Sequence, residues 1–566
     1  MHTPPVQLAA CAALGLVAVL LQLPAAHLLG YGAFWQHGDP GAHSSALHLY
    51  LSDVWHWPPL FTTALNYPEG INIAFADVIP LMALPMKALG VSPETPGRFF
   101  GGWVILAFCL QGLSAGVLLR SAGLRSLPLL LVGAAFFTLS PSMMFRVNAH
   151  TALTSHFLLL LALAVLIKQH RNPAKARSGL LGVPLLIVVA LAIHPYLAAM
   201  ALAICLTGFT QPYLWRMHPG SCGLSLLATL GLPAAYLLLM GYLDGGLGGS
   251  SGTGGFDINS MNLVAPLAGG AFPLWQGLED PTGRFGALPM PFDATGGQYE
   301  GYNHLGLGVM ALLPVALIVQ RTSLLRIIVR YWRVILLMLG FTAYALSTTA
   351  HAFESVLYTV TPPEWTQGLL GQFRSSGRFF WPVGYALLMV AVAGVALGQA
   401  PTTLKLLVLG GALMLQVVDT QPLRKITREV TSETAAPFAL KDDRVLTAIS
   451  KANTIYLLPS FGCGARAFED VVTIQVEAAA SGASFNTGLI ARGYSDCGDK
   501  EEVLSQPLQP DATYIVFLDS PRSAPLAALL LNRARSRACF DAAPYLVCSR
   551  STQAFEAISI SDATDE

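Results

Sequence analysis

The sequence predicts a polytopic α-helical membrane protein of about eleven spans, N-terminus inside and C-terminus outside, with a C-terminal soluble α/β domain beyond the membrane. Three observations predict it. First, the 566 residues are 54% hydrophobic and 11% charged, with a mean hydropathy of +0.56; a soluble globular chain carries about 25% charged residues. Second, apolar runs approaching the ~20 residues needed to cross a bilayer recur near 8–30, 99–119, 126–141, 151–167, 179–194, 196–214, 222–243, 304–320, 334–348, 380–398 and 405–418. Third, charge alternates with those runs. Loops placed inside carry Arg120, Arg125, Lys168, Arg171, Lys175, Arg177, Arg216, Arg321, Arg326, Arg330, Arg333 and Lys405 and no acid. Every Asp and Glu before Val418 falls in an outer loop. The bias of Lys and Arg toward one side sets orientation, and moving the count by one span destroys it.

The first span begins near residue 8. Its apolar run is too long for a signal peptide and lacks a basic flank, so it reads as a retained helix. Three outer loops follow within the membrane domain 1–420: 31–97, 244–303 and 348–380. In the first, Ala42 to Trp57 has the apolar spacing of a short helix lying on the membrane surface, and Val78 to Leu89 reads as a second, interrupted by Pro80 and Pro85. Trp35, Trp55 and Trp57 fit an interfacial belt. The second loop opens with the flexible GGLGGSSGTGG, and its later part, with Trp275, Phe285, Phe292 and Tyr299, reads as a lid. The pair of spans split at His194-Pro195 also reads as one kinked helix. From Gln421 charges return, and 421–566 reads as an α/β domain: TIYLLPS and ATYIVFLDS as buried strands, PLAALLLNRARSR as a helix, CFDAAPYLVC as a hairpin.

Cys11, Cys109, Cys205 and Cys222 lie in or beside apolar segments and read as small hydrophobes. Cys463, Cys497, Cys539 and Cys548 suit an oxidising compartment and two disulfides. Cys463–Cys497 with Cys539–Cys548 is the simplest pairing, though sequence does not fix connectivity. There is no GxGxxG or Walker motif, so no cofactor is expected. No basic stripe or zinc spacing points to nucleic acid.

The first outer loop gathers ionisable groups beside a bilayer, where they are costly and mark candidate sites. Asp39, in HGDPG, is placed to take a proton from a hydroxyl at the end of the first span; it also suits a helix cap near Gly41. Asp77, in AFADVIP, is a second carboxylate or a cap for a helix at Val78, and His43 lies in the same loop. Arg146 and His150 belong to RVNAH in a short outer turn. An arginine there suits a phosphate or snorkels to the headgroups. Arg374 and Arg378 flank SSG at i and i+4 spacing, which puts both on one helix face as a phosphate fork. The histidines form no HExxH-type pattern, so no metal is expected.

The plan of one span, a long outer loop with an early Asp and tightly connected spans after it resembles the GT-C superfamily of polytopic glycosyltransferases. HGDP, NYPEGINIAFADVIPLMALPMKAL and FRSSGRFFWPV resemble an uncharacterised bacterial membrane-protein family of the DUF6311 kind. The resemblance implies a hexosyl or pentosyl transferase with a polyprenyl-phosphate sugar donor and a cell-envelope glycan or lipid acceptor at the outer face of a bacterial inner membrane. It implies Asp39 as catalytic base. Arg146, Arg374 and Arg378 would hold the donor phosphate, Asp77 and His43 would position the acceptor, and His150 is a further substrate-binding candidate. Metal-dependent members carry an acidic motif after the third span; here Arg146 and His150 stand there, which implies metal independence. The competing classes are a transporter or flippase of lipid-linked glycans, expected to show broken helices and ionisable groups within spans, and a non-catalytic envelope scaffold.

Overall fold

The computed structural model describes residues 3–91, 96–175, 177–243, 255–269, 293–433, 440, 442–463, 468–490, 497–534 and 538–549. They form two compact units: Met1–Leu28, Gly101–Leu237 and Ser250–Ser432 in the first, and Leu29–Phe100, Leu238–Gly249 and Glu433–Glu566 in the second.

Each predicted apolar segment is occupied by a helix. Among the described residues, six helices are long and apolar enough to cross a membrane: Pro4–Gln22, Gly97–Ser121, Thr151–Arg171, Pro219–Leu239, Ser376–Ala396 and Thr402–Asp419. A seventh arises if Leu127–Thr138 and Pro141–Val147, bent by 48°, count as one. The chain is thus a multi-pass membrane protein. Gly179–Ile193, Pro195–Phe209 and Leu307–Val319 are shorter, and Leu324–Leu346 carries Arg326, Arg330 and Arg333. The breaks fall before prolines. Proline lacks an N–H and drives the preceding residue out of the helical region. His194 accordingly is extended, and its Nδ1 accepts from the Tyr196 N–H at 3.2 Å, making two helices of 177–209. In an apolar solvent, helices associate where small residues let backbones approach. A Cβ on Gly15 would sit 2.0 Å from the Phe108 carbonyl oxygen, so Pro4–Gln22 and Pro96–Ser121 pack backbone to backbone there.

The second unit is built on a five-stranded sheet ordered Ser484–Phe485, Thr454–Leu458, Ala512–Phe517, Tyr545–Ser549, Ala538–Ala542. The first three strands are parallel and the last two antiparallel. Both strand motifs, the Ser523–Arg533 helix and the hairpin match the sequence reading. The disulfides are Cys463–Cys497 and Cys539–Cys548. The first closes a loop of 34 residues. Replacing both its cysteines by serine is expected to cost about 3–4 kcal/mol by the chain-entropy account; the thermal midpoint of the full-length protein checks this.

The first outer loop belongs to this same unit. Leu65 bridges Phe485 in parallel; the Phe485 N–H donates to the Ala64 carbonyl at 2.8 Å and the Tyr67 N–H to the Phe485 carbonyl at 3.0 Å, so residues 64–67 extend the sheet edge. The Gly38–Ser52 helix packs on Phe468–Ser481. Gln475 Nε2 donates to the Ala42 carbonyl and to Ser45 Oγ, both at 2.9 Å, and the Gly38 N–H donates to Glu469 Oε2 at 3.1 Å.

Three sequence expectations change. The first-loop helix does not lie on a membrane surface: Pro40 to Leu47 are buried all round, because Gly41, Ala42, Ser44, Ser45 and Ala46 admit close neighbours. Trp35 is buried and stacked on Phe100, while Trp55 and Trp57 stay exposed. The return of charge near 421 does not coincide with a division in packing. Gln421–Thr431 stays with the first unit, and 29–100 joins the C-terminal region. Of the lid, Trp275, Phe285 and Phe292 lie outside the described residues, as does the glycine-rich 244–254; Tyr299 packs against the core of the first unit.

Candidate functional site

Glu300 is the centre of the first unit's polar interior. Asp293 builds its turn: Asp293 Oδ1 accepts from the N–H groups of Thr295 (3.2 Å) and Gln298 (3.0 Å), shaping the 3-10 turn Gln298–Gly301. Gly301 and Gly377 then touch. A Cβ on Gly377 would fall 2.5 Å from Gly301 Cα, so only glycine lets the Ser376–Phe380 turn bring Arg378 this close. Arg378 donates through Nε and Nη2 to Glu300 Oε2 and Oε1, each at 2.9 Å. Arg146, from the short Pro141–Val147 helix, donates to Oε2 at 2.7 Å and to the Glu300 carbonyl at 2.8 Å. His150 Nε2 lies 3.5 Å from Oε1. Side-chain exposures are 2% for Arg146, 7% for Arg378 and 9% for Glu300. Burial alone would raise the Glu300 pKa; Arg378, Arg146 and the His150 hydrogen bond outweigh it and hold the carboxyl well below the usual carboxylate range.

Arg146, His150 and Arg378 thus converge, but on a glutamate of the protein. Arg374 does not join them. The backbone between the two arginines turns as a 3-10 segment instead of a helix face, leaving Arg374 exposed with its stem against Gly255.

Sequence reasoning missed two further features of this unit. His156, fully buried within the Thr151–Arg171 segment, has Nδ1 2.7 Å from the Tyr385 hydroxyl, which also accepts from Gln111 Nε2 at 3.1 Å. His304 Nε2 lies 2.7 Å from Asp419 Oδ2, both side chains 2% exposed. An isolated histidine in an apolar run marks His156 in the sequence. For Asp419 the only signal is an acid closing such a run.

The second unit holds the other residues. Asp39 occupies the first turn of Gly38–Ser52, whose N-cap is His37, so Asp39 is not the cap; it is half-buried. An acid in that turn complements the positive end of the helix dipole. His43, one turn on and 4% exposed, has Nε2 3.6 Å from Asp77 Oδ2. Asp77 is likewise not the N-cap of the next helix, which starts at Pro80 after Ile79; it closes the 3-10 turn Ile73–Ala76 as its C-cap. It takes a left-handed conformation (φ 53°, ψ 24°), which aspartate tolerates better than most residues. Elsewhere in the loop Asp53 Oδ2 accepts from Thr62 Oγ1 (2.6 Å) and the Thr63 N–H (2.9 Å) and lies 3.0 Å from His56 Nε2. Burial raises its pKa, but the Thr62 and Thr63 bonds and His56 prevail and lower it. That carboxylate is spent on holding the loop.

A family model described as a domain of unknown function, DUF6311, matches residues 12–421. No curated protein matches. Among the solved structures similar to this chain are two of an archaeal oligosaccharyltransferase. The archaeal oligosaccharyltransferase AglB from Archaeoglobus fulgidus, in complex with an inhibitory peptide and a dolichol-phosphate, has a TM-score of 0.44 and 9% identity, over 98% of this chain and 75% of that one. The Archaeoglobus fulgidus oligosaccharyltransferase tethered to an acceptor peptide has a TM-score of 0.45 and 10% identity, over 97% and 74%.

Proposed function

For a chain that belongs to the DUF6311 family, we propose an inverting transfer of a sugar from a polyprenyl-phosphate donor to a cell-envelope glycan or lipid, at the outer face of a bacterial inner membrane. The reading takes the chain as eleven spans with its N-terminus inside, on the strength of the Lys and Arg bias between its apolar segments. The observation that carries it is Asp39. It is a half-buried carboxylate in the first turn of a helix buried from Pro40 to Leu47, in the first outer segment after the first apolar helix.

The acceptor hydroxyl gives its proton to the Asp39 carboxylate as its oxygen bonds to the anomeric carbon. The bond from that carbon to the phosphate oxygen breaks, and the phosphate leaves with the electron pair. Cations stabilise the charge that develops there. Arg374, exposed, is the arginine free to meet the phosphate from solvent. His43, beside Asp77, orients the acceptor. Arg374→Ala is accordingly expected to leave stability within about 0.5 kcal/mol, as for an exposed side chain, while weakening donor use; melting temperature and KM for the donor read the two effects separately.

The deciding experiment follows transfer from a radiolabelled polyprenyl-phosphate sugar pool in membranes, wild type against Asp39→Asn at matched expression. Product lost in the variant supports Asp39 as base, and equal product in both removes it. A flippase is the second reading, favoured by the 48° bend before Pro141, the break at His194 and the buried His156. It predicts labelled lipid moved between leaflets with no new glycosidic bond.

A further inference from the structure

One end of the first unit is built from chain that holds no acid. Residues 95–243 and 301–353 contain neither Asp nor Glu. Three guanidiniums from those segments nevertheless converge there. Thr151–Arg171 ends on His170 and Arg171, and Leu324–Leu346 brings Arg330 and Arg333 alongside. The backbone of Tyr331 leaves helical values (φ −109°, ψ 18°) and bends that helix. Its ring stacks on the buried His170 imidazole, centroids 5.0 Å apart. Gln211 Nε2, 2.7 Å from His170 Nδ1, fixes the imidazole from its edge.

Around this stack the cations are held by main-chain carbonyls. Arg330 Nη2 donates to the His170 carbonyl, and Arg171 Nη1 to the Ala122 carbonyl. Arg333 lies over the Trp332 ring at 4.6 Å. Arg330 and Arg333 both bear electrostatically on His170 and Tyr213, and Arg330 and Arg171 on Tyr331. The surface beside them is apolar: Leu325, Ile328 and Val329 are exposed on the N-terminal side, and Trp332, Leu336 and Leu339 on the C-terminal side. Arginines set in such a surface carry their charge to the level of the headgroups. The Lys and Arg bias accounts for cations on one side of a membrane. It does not account for three of them gathered on one aromatic stack, where they repel one another and the surrounding chain supplies no carboxylate. The missing anion comes from outside the protein. A guanidinium matches a phosphate through two parallel hydrogen bonds, and basic pockets between spanning helices take anionic headgroups.

We propose that Arg171, Arg330 and Arg333 form a binding site for the phosphate of an anionic phospholipid, whose acyl chains lie along the exposed apolar face of Leu324–Leu346. The site is separate from Asp39 and does not rest on the transferase reading. Apolar residues on both sides of the cations select a lipid over a free anion.

The test titrates the full-length protein in detergent micelles with phosphatidylglycerol or phosphatidylcholine. Native mass spectrometry counts the bound lipid, and the melting temperature of the same samples is the second readout. Wild type is expected to bind phosphatidylglycerol about tenfold or more tightly than phosphatidylcholine, and to melt higher with it, since a ligand of the folded state stabilises that state. Arg330→Gln with Arg333→Gln is expected to weaken phosphatidylglycerol binding about fivefold per arginine and to leave phosphatidylcholine unchanged. Arg171→Gln, which leaves the bent helix untouched, is expected to weaken it about fivefold alone. Arg216→Gln with Arg321→Gln removes the same charge from exposed positions of the same acid-free segments. It is expected to change binding less than about twofold, because exposed charges away from the site are screened. Equal binding of the two lipids by wild type overturns the proposal. So does an equal loss in the Arg216 and Arg321 pair, which would leave only a diffuse basic belt. Displacement of phosphatidylglycerol by inorganic phosphate at constant ionic strength overturns the lipid as ligand.

Discussion

Glu300→Gln is expected to destabilise the protein by about 3–5 kcal/mol, the cost of removing one partner from a buried charge cluster. The glutamine keeps the shape and most of the volume, so packing contributes little. What is lost is the anion between two guanidiniums that are 2% and 7% exposed. These arginines would face each other across a neutral amide, each still carrying its desolvation cost. Thermal unfolding in detergent measures the loss. A triple replacement, Arg146→Met, Glu300→Leu and Arg378→Met, is expected to recover most of it, because apolar side chains in such a site are often neutral or better. A triple variant no more stable than Glu300→Gln would mean that shape, not charge balance, holds the site.

The same cluster fixes a pH dependence. The folded pKa of Glu300 is held well below the ordinary glutamate value by Arg378 and Arg146 despite its burial. A depressed carboxyl contributes stability that is complete above the unfolded pKa and is lost as pH falls through the folded one. Stability from this site should therefore be constant from neutral pH down to about 4.5 and fall only in stronger acid. In Glu300→Gln that acid-side loss should shrink.

Asp39→Asn is expected to lower sugar transfer by about 10²–10⁴-fold, the usual contribution of a positioned general base. The effect on folding should be small. A first-turn acid is worth about 0.3–1 kcal/mol through the helix dipole, and Asp39 is neither the N-cap nor fully buried. Transfer rate and melting temperature measured on one preparation separate the two roles. A rate that falls only in step with folded protein would assign Asp39 to the scaffold.

The helices were legible because an apolar run long enough to span has few other uses, and the hydrophobic strands Thr454–Leu458 and Ala512–Phe517 because every residue in them is buried. The Gly38–Ser52 helix was legible as a helix but not in its surroundings. Its small residues pack against Phe468–Ser481, over 400 positions away, and local periodicity carries no trace of that partner. The arginines were legible as unusual, since cations are rare in the outer loops. Their shared anion was not. Glu300 lies in QYEGYN with no local signature, 154 residues from Arg146 and 78 from Arg378, and only the contact of Gly301 with Gly377 brings it in. His156 stands out in the sequence as an isolated histidine in an apolar run, but nothing local points to its partner Tyr385, 229 residues on.

Of the three segments of the second unit, the first is residues 29–100 and the last lies beyond 432. At about 5–20 residues per second of synthesis, the first part emerges on the order of tens of seconds before its partner. During that interval Ala42, Ala46 and Leu47 have no Phe468–Ser481 to cover them, and the Ala64–Tyr67 edge has no Phe485 to pair with. Asp39, His43 and Asp77 acquire their native setting only once the segment beyond residue 432 has been made. Maturation of the proposed catalytic residue is thus timed by that distant segment, and a nascent chain halted before residue 433 would carry the described apolar helices while lacking a finished Asp39 environment.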